Sequence, residues 1–179
     1  ANLLGRSIIR SNSMTSTGPS EIGKFIAHDT LRDAQKEMVI DGINILFKQG
    51  FLLAAAPTGI GKTAASLASS IEVARNNQNQ ILFLTGRQSQ HKIVIETVRS
   101  INSNLDKEIS EVKVVDLIGR ESMCEDVDKM TGKCSCEDGI IESSRQSRRD
   151  DMKEYILKNP NHVDDIIEKS KNKKICAWA

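Results

Sequence analysis

Ala56-Pro57-Thr58-Gly59-Ile60-Gly61-Lys62-Thr63 spaces two glycines around one residue and follows them with a lysine and a hydroxyl residue. On its N-terminal side Phe51-Leu52-Leu53-Ala54-Ala55, bounded by Gly50 and Pro57, reads as a short strand buried on both faces. On its C-terminal side Ala64, Leu67, Ala68, Ile71 and Ala74 repeat at helical spacing, so a helix is expected to start at Lys62. The octet therefore occupies a strand-to-helix turn. Gly59 and Gly61 allow the backbone to curl so that successive N–H groups, backed by the helix dipole, face phosphate oxygens. In such a loop Thr58, Gly59, Ile60, Gly61, Lys62 and Thr63 form the cradle. Lys62 would reach the β- and γ-phosphates, and the Thr63 hydroxyl would ligate the bridging Mg²⁺. The motif implies nucleotide binding.

The 179 residues allow one sizeable core with an excursion, but not two full nucleotide-binding domains. A 39% hydrophobic and 27% charged composition is that of a soluble globular protein, and the net charge of +1 neither supports nor excludes a nucleic-acid partner. No run approaches the ~18 apolar residues of a membrane span. Residues 1–20 are rich in Ser, Asn and Gly and read as a disordered lead-in, with Met14 a candidate start. Arg6 and Arg10 interrupt Leu3-Leu4 and Ile8-Ile9, so no secretory segment is read there. A cytoplasmic, reducing setting follows, in which the four cysteines suit a metal better than disulfides.

Further along, the spacing predicts a helix opened by Leu31 and Arg32 that buries Val39, Ile43, Leu46 and Phe47 and ends at Gly50. Arg32 and Gln35 read from periodicity as a solvated first turn. Ile81-Leu82-Phe83-Leu84-Thr85 is a second buried-strand pattern, followed by a helix over Ser89–Ile101 with Val94, Val98 and Ile101 on one face. Val112, Val114 and Val115 offer a third, shorter strand. The alternation predicts an α/β domain with a parallel, doubly wound sheet. Arg87 and Gln88 would then lie at the carboxyl edge, where such sheets bind ligands.

Beyond Gly119 the composition changes, and Cys124, Cys134, Cys136 and Cys176 all fall in this last part. A segment so polar resembles a metal-stapled insertion. Taken alone, the spacing leaves open an iron–sulfur cluster, a zinc site and four unrelated cysteines; Cys134-Ser135-Cys136 is tighter than the usual first zinc pair. Two basic runs, Arg145, Arg148 and Arg149, then Lys169, Lys171, Lys173 and Lys174, read either as solvated faces or as nucleic-acid contacts.

In order and spacing these parts resemble the XPD-type iron–sulfur superfamily 2 DNA helicases, the DEAD_2 group, and look most like its archaeal members. Leu31-Arg32-x-x-Gln35 resembles the adenine-contacting element, Ala56–Thr63 motif I, and Leu84–Gln90 motif Ia; Gly119–Cys124 resembles the lead into the first cluster cysteine. The resemblance implies a RecA-like phosphate-loop domain, its parallel sheet flanked by helices, over 21–118. It also implies a small, mainly helical insertion over 119–179 in which Cys124, Cys134, Cys136 and Cys176 hold a [4Fe–4S] cluster. Arg32 and Gln35 would contact adenine, Lys62 and Thr63 would serve ATP-Mg²⁺ hydrolysis, and Arg87 and Gln88 would lie toward DNA. It further implies a monomeric, ATP-dependent 5′-to-3′ helicase that moves on single-stranded DNA and opens single-strand/duplex junctions in DNA repair.

Two departures are Gly86 beside the motif Ia residues and the tight Cys134–Cys136 pair. A third is larger: no strand here ends in Asp-Glu-x-His, so the chain reads as the N-terminal portion of a longer helicase, not competent for hydrolysis by itself. Val114-Val115-Asp116 is a poor substitute for that acidic motif, because no Glu follows Asp116 and the run is short. Two rival expectations are a stand-alone nucleotide- and metal-binding regulatory module and a compact zinc-containing phosphate-loop ATPase using Asp116.

Overall fold

A computed structural model of the chain describes residues 23–124, 126–128 and 130–178, so the expected lead-in over 1–20 lies outside the described residues. Six helices supply the regular structure among the described residues: α1 (Asp33–Phe47), α2 (Lys62–Asn77), α3 (Ser89–Asn104), α4 (Arg120–Met123), α5 (Glu142–Lys158) and α6 (Val163–Lys173). They belong to two compact units. One takes the residues up to Phe83 with Ser100–Ile109, the other Leu84–Arg99 with the chain from Ser110 onward, so that α3 has a part in each.

In the first unit α1 begins where Arg32 is extended and its N–H donates to the Gln35 side-chain oxygen at 3.0 Å, with Asp33 in the first turn. Val39 and Ile43 pack against Ala65, Ala68 and Val73 of α2, with Leu31, Met38 and Leu46 at the border. Small residues on α2 let α1 approach closely. A Cβ at Gly42 would stand 2.7 Å from Ser69 Oγ, so the crossing depends on its absence. α2 stops after Asn77 because Gln78 turns left-handed, with φ 56°.

The two apolar runs 51–55 and 81–85, expected as strands, are not strands. Among the described residues there is no β-ladder, only the isolated parallel bridge Val115–Asn161 and the antiparallel bridge Val127–Cys134. Phe51 and Leu53 are 100% and 93% exposed, and Leu82 and Leu84 are 82% and 80% exposed. The expected parallel sheet is therefore not seen. A run becomes a buried strand only when a neighbour pairs its N–H and C=O groups and both its faces are covered. Neither condition holds for 51–55 or 81–85. The third expected strand keeps its period: Val112, Val114, Asp116 and Ile118 are more buried than Lys113, Val115 and Leu117 between them.

In the second unit a core forms from Met123 at the end of α4, Met152 of α5, Val163 and Ile166 of α6, and Ile175 just beyond α6. Asp116 pins these parts. Its Oδ1 lies 2.5 Å from His91 Nδ1 of α3, and its Oδ2 accepts the Val163 N–H at 2.9 Å, at the start of α6. Arg99, two turns beyond His91, donates from Nε to the Pro160 carbonyl at 2.8 Å. No helix among the described residues is long and apolar enough to cross a membrane.

Candidate functional site

The chemistry gathers in two places, one in each unit. In the first, Gly59 (φ 83°) and Gly61 (φ 82°) both adopt the left-handed conformation that the loop needs. Gly61 is also pressed by the buried Gln35 amide, with which a Cβ would collide. As the N-cap of α2, Gly61 offers no side chain to the N–H groups of the first turn, which stay available to an anion. Lys62 Nζ donates to the Ala56 carbonyl at 2.7 Å and the Pro57 carbonyl at 2.9 Å, folding its charge back over the loop. Thr63 follows in the first turn and is half-buried, whereas Thr58 is exposed and Ile60 half-buried.

Arg32 and Gln35 come to the same loop. Arg32 Nη1 donates to the Gly59 carbonyl at 3.0 Å, and Gln35 is buried against Gly61. A solvated first turn was the expectation from periodicity; it holds for Arg32, which is exposed, and fails for Gln35 because the α1–α2 crossing carries that amide onto the loop. Arg87 and Gln88 belong to the other unit, exposed in the turn that starts α3, where the Thr85 hydroxyl accepts the Arg87 N–H at 3.1 Å.

In the second unit the four cysteines converge. Their sulfurs all lie within 4.8 Å of one another. The close pairs are Cys124–Cys134 at 3.1 Å, Cys124–Cys136 at 3.8 Å, Cys134–Cys136 at 2.7 Å and Cys134–Cys176 at 3.5 Å. Cys124 ends the one-turn helix α4. The chain returns to Cys134 through a turn closed by Asp128, whose Oδ1 accepts the N–H groups of Met130 at 2.8 Å and Thr131 at 3.1 Å. Those two bonds hold the Asp128 carboxyl below its ordinary pKa. Cys176 arrives from the far end of α6, after Lys174 has turned left-handed.

Burial pushes the Cys124 thiol up to about 11, with the Cys134 contact adding to it, and burial with the same neighbour pushes Cys136 up as well. Burial also opposes ionisation of Cys134, but hydrogen bonds from the Cys136 and Cys124 thiols outweigh it and bring that pKa down. The raised thiols of Cys124 and Cys136 must give up their protons for a metal to bind. Clefts of about 640 Å³ and about 500 Å³ open beside the sulfurs, the first lined by Cys134 and Cys176 and the second by Cys124 and Cys136.

The donor set fits a thiolate-bound metal. A single tetrahedral ion with metal–sulfur bonds of about 2.3 Å sets its sulfurs about 3.8 Å apart. A cubane cluster gives each thiolate its own iron and needs the sulfurs farther apart than they stand here. The adjoining clefts leave room for that spreading, and Cys124, Cys134 and Cys136 sit on turns and short connections rather than inside helices.

The basic runs have partners within the unit. Arg145 and Arg149 reach Glu137, Arg148 donates to the carbonyls of Lys173 and Lys174 at the end of α6, Lys173 pairs with Asp151, and Lys169 lies over the Tyr155 ring. Asp116 is likewise committed, to His91 and to the start of α6.

The sequence profile of the type III restriction enzyme, res subunit family matches residues 28–175, most of the 179-residue chain. The chain belongs to this family. The res-subunit domain is of the superfamily 2 helicase type, which supports a helicase/ATPase function in general and a RecA-like fold. The match takes in the phosphate loop and three of the cysteines, Cys124, Cys134 and Cys136, and stops one residue short of Cys176. No solved structure matches the chain. Sequence reasoning missed Asp128 and Glu137, and it read the stretch ending at His91 as a ligand or DNA contact, whereas His91 pairs with Asp116. Asp128 with Gly132 carried a readable turn signal, whereas Glu137 and the His91–Asp116 pair act through residues far away in sequence and left none.

Proposed function

We propose that the chain carries the nucleotide-binding and metal-binding parts of an XPD-type, ATP-dependent 5′-to-3′ DNA helicase. It would act as a monomer in the cytoplasm, or on the nucleoid of a prokaryote, moving on single-stranded DNA and opening single-strand/duplex junctions during DNA repair. The observation that carries this reading is the convergence of four cysteine sulfurs within 4.8 Å in a chain whose family is helicase-type. Residues 21–118 are read as the N-terminal part of the first motor domain and 119–179 as the cluster domain.

In this reading Thr58–Thr63 cradle ATP-Mg²⁺. The N–H groups at the start of α2 take phosphate oxygens, Lys62 swings from the carbonyls of Ala56 and Pro57 to the β- and γ-phosphates, and Thr63 ligates Mg²⁺. Arg32 and Gln35 face the adenine side while bracing Gly59 and Gly61, and Arg87 and Gln88 contact the DNA backbone. Cys124, Cys134, Cys136 and Cys176 hold the [4Fe–4S] cluster, which when bound supplies a covalent knot for a unit with a small core. These residues alone are expected to bind ATP without turning it over, because Asp116 is engaged elsewhere.

One observation favours a zinc-bearing module instead: the sulfurs, all within 4.8 Å of one another, stand nearer the spacing of a single-ion tetrahedron than that of a cubane. Protein purified without oxygen decides between them. Brown protein with about four irons and matching sulfide per chain, binding ATP and single-stranded DNA, supports the helicase reading. Colourless protein with one zinc and no affinity for single strands refutes it in favour of the module.

A further inference from the structure

Glu137 follows Cys136 directly and joins separate parts of the cysteine site. Its Oε1 accepts the backbone N–H of Cys176 at 3.1 Å. Its Oε2 lies 2.8 Å from Arg149 Nη2 and 3.3 Å from Arg145 Nε, and the side chain is only 12% exposed. Arg145 is fastened in turn, donating to the Ile140 carbonyl at 3.1 Å and pairing with Glu142 at 3.0 Å. The Glu137 carboxylate is not itself in the donor group, which consists of the four sulfurs.

Cys124, Cys134 and Cys136 lie close together in sequence and are gathered by one turn, but Cys176 is separated from them by all of α5 and α6. The end of α6 brings Cys176 near, through the Ile175 N–H bonded to the Ser170 carbonyl at 3.1 Å. The bond that ties its own backbone to the Cys136 side is the one to Glu137. A largely covered carboxylate held by two guanidiniums is a fixed acceptor, because moving it would break both ion pairs at once. Both arginine side chains line the cleft shared with Cys134 and Cys176.

We propose that Glu137, held in place by Arg145 and Arg149, is the positioning residue that sets Cys176 in register with the other three thiolates. The proposal rests on reading the four cysteines as a metal site. Outer partners of this kind are worth about 10- to 100-fold in metal retention.

The test compares the whole chain, purified without oxygen, with Glu137→Gln, Glu137→Ala and Cys176→Ser. Metal and sulfide per chain are measured, then the rate of metal loss to a chelator, then the melting of each metal-free form. Glu137→Gln keeps an oxygen for the Cys176 N–H but no charge for the arginines. It is expected to lose metal about tenfold faster at unchanged helical content, and Glu137→Ala up to about 100-fold faster, approaching Cys176→Ser. A merely structural role would lower metal-free melting and leave metal loss from folded Glu137→Gln at the wild-type rate, which overturns the proposal even where Glu137→Ala does not fold. Wild-type chain that carries no metal removes the metal reading itself, and the proposal with it.

Discussion

Replacing Gly61 with alanine tests the joint between α1 and the phosphate loop. At φ 82° an L-residue costs about 1–2 kcal/mol relative to glycine. The new Cβ also meets the Gln35 amide, so Gln35 must leave, breaking its bond to the Arg32 N–H at the start of α1 for about another 1 kcal/mol. Gly59→Ala is the matched control: its φ of 83° carries the same backbone cost, but nothing stands within 4 Å of its Cβ. Gly61→Ala should therefore cost about 2–3 kcal/mol and Gly59→Ala about 1–2. At about 2–4 °C per kcal/mol for a chain of this size, the far-UV melting temperature should fall by about 4–12 °C and about 2–8 °C respectively. The collision is isolated by a double-mutant cycle with Gln35→Ala, in whose background Gly61→Ala should cost no more than Gly59→Ala. Coupling of about 1 kcal/mol supports the close approach. Additivity within about 0.5 kcal/mol, or equal costs for the two glycines, would refute it.

Lys62→Ala removes a charge-assisted bond to phosphate worth about 1.5–3 kcal/mol, so ATP affinity should fall about 10- to 150-fold by calorimetry; an unchanged Kd sinks the assigned role. Asp116→Ala strands His91 and the Val163 N–H, and should cost about 2–4 kcal/mol in melting of the second unit while leaving ATP affinity intact. The opposite pattern, weaker Mg²⁺-ATP binding at unchanged melting, would make Asp116 the missing acid. Metal affinity should climb steeply with pH between 6 and 8, because the thiols of Cys124 and Cys136 have raised pKa values and must give up their protons. For the metal-free chain the sign reverses: a raised folded pKa stabilises the fold below the ordinary thiol value and loses that contribution as pH rises through about 11 for Cys124. Metal-free protein that gains stability between pH 9 and 11 would contradict this burial.

The helices were legible because their signals are local. α2 starts at Lys62, where the phosphate motif required, and the apolar positions read for α1 and α3 include the buried Val39, Ile43, Val94, Val98 and Ile101. The strands were not, and the reason lies in what an apolar run reports. Phe51–Ala55 and Ile81–Thr85 have the composition of buried strands, but composition states a preference for covered faces and cannot supply the neighbours that cover them. Val112–Ile118 shows the intermediate case: its alternation survives as alternating burial, while pairing is confined to the single bridge from Val115 to Asn161.

The two sites divide along the same line. The phosphate loop is written within eight residues, and the distant contributors seen among the described residues are Arg32 and Gln35, brought in by the α1–α2 crossing. The cysteine site depends on distance. Spacing alone left cluster, zinc and unrelated cysteines open, since nothing near Cys176 in sequence says that α6 will return it to Cys134. What closes that gap is polar: Asp116 starting α6, Arg148 on its last carbonyls, and Glu137 on the Cys176 N–H. The core beneath, Met123, Met152, Val163, Ile166 and Ile175, is too small to impose that geometry unaided. A unit held this way should tolerate conservative changes in its apolar residues better than loss of one carboxylate. The charges read from sequence as solvated faces or nucleic-acid contacts are, at Arg145, Arg148 and Arg149, the frame around the cysteine cluster.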